Sequence, residues 1–271
     1  MIDLHLHTTA SDGRLAPREL VDLAASAGVR VMAVTDHDTT ASVADVQACA
    51  RAKGIEAIAG IEITSVLNGR DVHMLAYFID IGDEGFQRFL TGQRAARIAR
   101  IEAIGARLAE LGVPVKLDAA LALARLQSSI SVGRPHVARA MVAAGHVKDM
   151  HQAFDRWLGT NRPAFVPRTG PTPEEAVAIV HAAAGVASMA HPGRTQLDEQ
   201  IAPLREAGLD AIEVYHSDHD AAAVAKYSAL ARQLGLLVTG GSDFHDPASA
   251  LRPGVVTLPD EDWQRLRAAR P

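Results

Sequence analysis

The chain has 271 residues, 48% of them apolar, and a formal net charge of −5. Such a length can bury a sizeable core as one barrel-sized domain, or as one domain with an insert. The small charge argues against a nucleic-acid coat or a membrane surface, no apolar run approaches bilayer length, and a single cysteine, Cys49, excludes an internal disulfide. We expect a cytoplasmic protein without a signal peptide, because the chain opens on a strand pattern and not on a basic leader. A metal site here must use nitrogen and oxygen ligands, and twelve histidines are available.

In Met1 to Leu6, Ile2, Leu4 and Leu6 alternate with Asp3 and His5, and His7 follows. The period of two predicts a strand with His5 and His7 on one face. The turn-rich run Thr8 to Gly13 then swings Asp12 back toward both imidazoles. Pro17 opens a helix ended by Gly28. Val29–Thr35 is a buried strand followed by the loop Asp36-His37-Asp38, and Val43–Lys53 is a helix. Ile55–Glu62 is a third strand, and Val72–Tyr77 pairs beside it through Asn68-Gly69. The alternation points to parallel β/α units.

From about Asp83 the pattern turns helical. Helices are predicted over Arg94–Leu111, Lys116–Arg125, Pro135–Ala144 and Met150–Leu158. We read 83–162 as an inserted helical subdomain, and 1–82 with 163–271 as the main domain. Pro163–Pro167 is an extended return. A helix over Thr172–Ala184 starts with a capping box, Thr172 and Glu175. Strands Val186–Ala190, Ala211–Tyr215 and Leu236–Gly240 follow, with helices around Ile201–Ala207 and over Ala221–Leu234. That makes about seven strands in an α/β fold.

The polar clusters fall in phase with those strands. His5, His7, His37, Glu62, His191, Asp243 and His245 stand at or just past strand ends; His73, early in its strand, is the exception. In a β/α barrel such ends open on one face, where loops build the site. Six histidines (His5, His7, His37, His73, His191, His245) and three carboxylates (Asp12, Glu62, Asp243) exceed what one ion needs. They suit two to three divalent ions. Mixed N/O ligation favours Mn²⁺, with Fe²⁺ or Zn²⁺ as alternatives, over Mg²⁺. Clustered ions turn a bridging water into hydroxide and clamp an in-line displacement at phosphorus.

His5-Leu6-His7, Thr35-Asp36-His37-Asp38, Gly60-Ile61-Glu62, Ala190-His191-Pro192 and Ser242-Asp243-Phe244-His245 together resemble the motifs of the PHP (polymerase and histidinol phosphatase) family of metal-dependent phosphoesterases. The resemblance implies a distorted seven-stranded (β/α) barrel with a trinuclear site. It also implies that His5, His7, Glu62 and Asp243 hold one ion, and Glu62, His73 and His191 a second. Asp12, His37 and His245 would hold the third. The insert with Arg134-Pro135-His136 resembles the branch that includes 3′,5′-nucleoside bisphosphate phosphatases and 5′→3′ exoribonucleases. The implied substrate is a small phosphorylated nucleotide or a short RNA 5′ end, with neither DNA nor a membrane as partner. The residues leave that choice and the oligomeric state open.

Arg94, Arg97 and Arg100 form a stripe on one helix, and Arg134 opens another. Guanidinium forks and a helix N-terminus suit a phosphate. We take Arg94, Arg97, Arg134 and His136 as candidate substrate contacts, and weigh the arginines against a solvated face and His136 against a helix-start histidine with no role in the site. Asp36 and Asp38 are expected to orient the His37 ring. His216 and His219 lie near the site, whereas His146, His151 and His181 are expected to be structural or surface residues. Cys49, Trp157 and Trp263 read as packing residues. Two other functions stay in view: an amidohydrolase-type metal hydrolase cleaving C–N or C–O bonds, and a non-catalytic metal- or nucleotide-binding domain. No lysine follows a strand as a carbamylated bridge, and a closed structural site needs only four ligands.

Overall fold

The computed structural model describes residues 1–127 and 129–270. Strands β1 (Ile2–Leu6), β2 (Val31–Val34), β3 (Glu56–Leu67), β4 (Arg70–Tyr77), β5 (Val186–Met189), β6 (Ala211–His216) and β7 (Leu237–Gly241) form one sheet in sequential order. β1, β2 and β3 run parallel, as do β5, β6 and β7, while β4 is antiparallel to both of its neighbours. The sheet curls until its edges meet. His7 N–H donates to Phe244 O at 3.0 Å and Asp243 N–H to His5 O at 2.9 Å. Gly241 is required at this seam, because a Cβ there would lie 2.4 Å from the His5 nitrogen. The result is a nearly closed seven-stranded barrel with helices outside, the fold class read from the sequence.

Side-chain parity separates inside from outside. Val31, Ala33, Ile58, Leu75, Tyr77 and Val186 meet in the lumen. Met32 and Val34 instead face outward, under α1 (Pro17–Ser26) and α2 (Val43–Arg51). β1 departs from the simple alternation: Ile2 and Leu4 join the lumen cluster, but Leu6 packs on the outer one. The pairing register slips between Asp3 and Leu6. Such a bulge, common at barrel rims, lets His5 and His7 both face the lumen above Leu4.

The hairpin between β3 and β4 explains the exceptional histidine. Asn68 and Gly69 take φ of 50° and 75°, the left-handed pair that a tight hairpin needs. β4 therefore runs downward from the rim, and His73 near its start lies level with the ends of the parallel strands. The hairpin also prolongs β3 beyond Glu62 to Leu67.

The helices between β4 and β5 are α3 (Glu84–Glu110), α4 (Asp118–Leu126), α5 (Arg134–Ala143), α6 (Met150–Ala153), running into a π-helical turn at Phe154–Leu158, and α7 (Pro173–Ala182). α3 starts at Glu84, not Arg94, with the Asp83 carboxylate accepting from Phe86 N–H at 2.6 Å. Its first turns pack Phe86 and Leu90 on the barrel. Its later turns join Leu121, Val137, Met141 and Leu158 in a separate cluster. After β5 come α8 (Pro192–Thr195), α9 (Ile201–Glu206), α10 (Ala221–Leu234) and α11 (Asp260–Ala268). α8 and α11 have no counterpart among the predicted elements. α11 places Trp263 and Leu266 in the lumen cluster with Ile2 and Leu4, so it plugs the end opposite the rim. No helix among the described residues is long and apolar enough to cross a membrane.

Candidate metal centre

Nine side chains from six strands and the loops that follow them converge on the rim. Glu62 is at their middle. Its Oε2 lies 3.3 Å from His5 Nε2, 3.3 Å from His7 Nε2 and 3.2 Å from His37 Nδ1. Its Oε1 lies 2.6 Å from His73 Nδ1 and 3.2 Å from His191 Nε2. Asp243 Oδ1 approaches His5 and His7 Nε2 at 3.3 and 3.2 Å. Asp12 reaches His245 Nε2 at 3.3 Å and His37 Nε2 at 3.6 Å.

Many of these approaches are not hydrogen bonds. His7 Nε2, His37 Nδ1, His73 Nδ1 and Asp243 Oδ1 are buried and have no hydrogen-bond partner among the described residues. Buried polar atoms left unpaired are costly. Donor atoms that crowd together without bonding each other fit cations placed between them. Ligand atoms within 4.8 Å of one another fall into overlapping sets: His5, His7, Glu62 and Asp243; His37, Glu62 and His73; His7, Asp12, His37 and His245; and His5, Glu213 and His216. The all-N/O donor chemistry suits borderline divalent metals.

The electrostatics agree with that fit. Burial opposes charge on His7, yet the Asp243 and Glu62 carboxylates lift its pKa to about 10. Burial drives His37 down to about 3. Burial also works against the charge of Glu62, Asp12 and Asp243, but their imidazole neighbours hold all three well below the usual carboxylate range. Three rim residues, Asp38, His191 and Asp243, sit at positive φ of 51°, 28° and 53°. Strain of this kind persists where the surroundings over-determine the backbone.

Asp36 and Asp38 do not orient the His37 ring as expected, because both carboxylates are engaged elsewhere. Asp36 accepts from Thr8 N–H (2.7 Å), Thr8 Oγ1 (2.6 Å), Ser11 Oγ (2.6 Å) and Ser42 Oγ, clamping the loop that carries Asp12. Asp38 accepts from Thr64 N–H at 2.9 Å and Arg97 Nε at 2.5 Å, with Arg168 at 3.5 Å. Two further residues support the rim. His216 Nε2 lies 3.3 Å from Asp243 Oδ2, and Glu213 Oε1 lies 2.9 Å from His5 Nδ1. Glu213 carried a sequence signal that went unread: a lone carboxylate between Ile212 and Val214 in a buried strand.

A cleft of about 1140 Å³ opens from the rim toward α3, α5 and α6. Arg97 and Arg134 line it, as do Arg100, Arg139, Arg168 and Arg194. Arg134 and Arg100 share the Asp71 carboxylate, each at 3.1 Å, around the Phe165 ring. Arg94 and His136 are not among the lining residues. Arg94 donates to the Asp38 carbonyl at 3.1 Å, and His136 Nδ1 accepts from Gly133 N–H at 3.2 Å as the cap of its own helix. His151 is exposed, as expected, at the wall of the cleft. His181 pairs with Asp210, His146 with the Pro114 carbonyl and His219 with the Val214 carbonyl.

The PHP domain pattern matches residues 3–114. The chain is 34% identical over 256 residues to 3′,5′-nucleoside bisphosphate phosphatase of Chromobacterium violaceum, an alignment covering 93% of this chain and 89% of that one. It is 35% identical over 259 residues to the 5′-3′ exoribonuclease Rnm of Escherichia coli, covering 93% and 87%. A solved structure from Bifidobacterium adolescentis, assigned as a metal-dependent phosphoesterase, superposes with a TM-score of 0.89 at 33% identity, covering 98% of this chain and 95% of that one. With relatives this similar over nearly its full length, the chain belongs to the PHP domain family and is a metal-dependent phosphoesterase.

Proposed function

We propose that this enzyme hydrolyses a phosphate ester of 3′,5′-bisphosphorylated nucleosides, or of short RNA with a 5′ phosphate. The observation that carries the reading is a nine-donor rim opening directly onto a cleft walled by arginines. One phosphate lies at the rim while the guanidiniums hold a second. His5, His7, Glu62 and Asp243 would hold one ion; Glu62, His73 and His191 would hold another; Asp12, His37 and His245 would hold a third. Divalent ions bound there, Mn²⁺ in the first place, would supply an activated water and neutralise phosphoryl charge. Arg97 and Arg168 are buried beside the single carboxylate of Asp38, so the group keeps one net positive charge at the cleft wall, with little screening by solvent. Arg134 and Arg100, held by Asp71, present forks suited to a phosphate. The names of the relatives support both substrates, which share a phosphate beside a second phosphate. We place the enzyme in the cytoplasm, where a free Cys49 stays reduced.

The deciding experiment incubates Mn²⁺-loaded protein with a 3′,5′-bisphosphonucleotide and, in parallel, with a 5′-phosphorylated oligoribonucleotide. Inorganic phosphate from the first, or mononucleotides from the second, is the expected result. Inactivity on both, with ammonia or carboxylate released from amide or ester substrates, would overturn it in favour of amidohydrolase chemistry.

A further inference from the structure

Glu213 stands one step behind the rim. It is fully buried in β6, on the inward face opposite Ile212 and Val214. Both of its oxygens are in use. Oε1 lies 2.9 Å from His5 Nδ1, and Oε2 accepts the backbone N–H of His191 at 2.8 Å. An ionised carboxylate only accepts, so His5 Nδ1 must carry hydrogen. The neutral ring then keeps its lone pair on Nε2, which faces Glu62 and Asp243 at 3.3 Å each. His191 needs a different kind of support. Its backbone sits at φ 28°, ψ 62°, just before Pro192, where an L residue is strained. The Glu213 bond fixes that backbone while His191 Nε2 reaches Glu62 Oε1 at 3.2 Å.

We propose that Glu213 is a positioning residue that joins the two sides of the metal centre. Through one carboxylate it sets the tautomer of His5, beside Glu62 Oε2, and the backbone of His191, beside Glu62 Oε1. This rests on reading His5 and His191 as metal ligands. A partner behind a ligating imidazole orients the ring and raises its basicity, and losing such a partner costs roughly 10–100-fold in metal affinity.

The test is Glu213→Gln. The amide keeps the shape but has one acceptor oxygen, so either His5 Nδ1 or His191 N–H meets an NH₂ group. Mn²⁺ affinity is measured by competition with a fluorescent chelator, with metal content by mass spectrometry, for wild type, Glu213→Gln and His5→Ala. We expect about 10–100-fold weaker binding in Glu213→Gln, with activity restored at saturating Mn²⁺. Wild-type affinity in Glu213→Gln would overturn the proposal. A full metal complement in His5→Ala would show instead that the ligand reading has failed, and the proposal would fall with it. Should Glu213→Gln not fold, long-range ¹H–¹⁵N spectra of Zn²⁺-loaded wild type decide. A proton on His5 Nδ1 with Nε2 bound to metal supports the proposal, and a proton on Nε2 overturns it.

Discussion

Five imidazoles approach the two oxygens of Glu62: His5, His7 and His37 at one, His73 and His191 at the other. Asp243 meets four imidazoles and Arg194, but Glu62 meets five imidazoles divided between its two oxygens, so the loss of its charge should be felt at more than one ion. Glu62→Gln should lower bound metal and cut turnover by at least about 100-fold, beyond the range for residues behind the ligands; metal analysis and steady-state kinetics check both. Protons compete for the same atoms. In the metal-free protein His7 keeps its proton up to a pH of about 10, and the Glu213, Asp243 and Glu62 charges also raise His5 despite burial. His37, lowered to about 3, is already neutral. Metal must displace the protons on His5 and His7, so affinity should rise with pH between 6 and 9, by about tenfold per unit for each proton released. Chelator competition at several pH values gives that slope, and a flat profile would contradict it. These rim residues were legible because His and Asp at strand ends interrupt an otherwise apolar alternation. Glu213 and Asp38 were not, because a buried carboxylate reveals its role only through partners far away in sequence.

Helix α3 shows how an element can hide its own start. Its buried stripe carries Gln93, Arg94 and Arg97 among Phe86, Leu90 and Ile101, so the apolar period breaks where the helix leaves the barrel. Those polar residues are the attachment. Gln93 Nε2 donates to the Thr64 carbonyl at 3.0 Å, and Arg97 donates to Asp38, Thr64 Oγ1 and the Val132 carbonyl. Arg97 thus joins α3 to the loop that presents His37. Both members of its ion pair are almost fully buried, and removing one partner strands the other's charge. Arg97→Met should cost about 3 kcal/mol, at the low end of the usual range because Arg168 still faces Asp38. Urea unfolding measures this. Adding Asp38→Asn should recover part of the loss, since the stranded charge is gone. Strand β4 teaches a related lesson: its direction follows from the Asn68-Gly69 turn, and the direction puts His73 at the rim.

At the scale of the whole molecule, the barrel is closed from both ends by different means. At the rim, the candidate ligands come from β1, β3 and β4 and from the loops after β1, β2, β5 and β7, so bound metal would tie nearly every strand end together. At the other end α11 inserts Trp263, 1% exposed, among Ile2, Leu4 and Leu258. That helix escaped the sequence reading because Trp263 and Leu266 are its only buried residues in a run dominated by charge. Trp263→Ala should cost about 3–5 kcal/mol through lost burial and a cavity. Turnover per folded molecule should hold below the melting transition, because the plug lies away from the cleft. Chelation should destabilise independently: metal that binds only the folded chain adds about 2.7 kcal/mol at a free concentration a hundred times its Kd. The two losses act at opposite ends with no shared contacts, so they should add within about 0.5 kcal/mol. Urea melts of wild type and Trp263→Ala, each with Mn²⁺ and with chelator, complete that cycle. A coupling well beyond that limit would mean that the rim and the plug respond to each other through the strands.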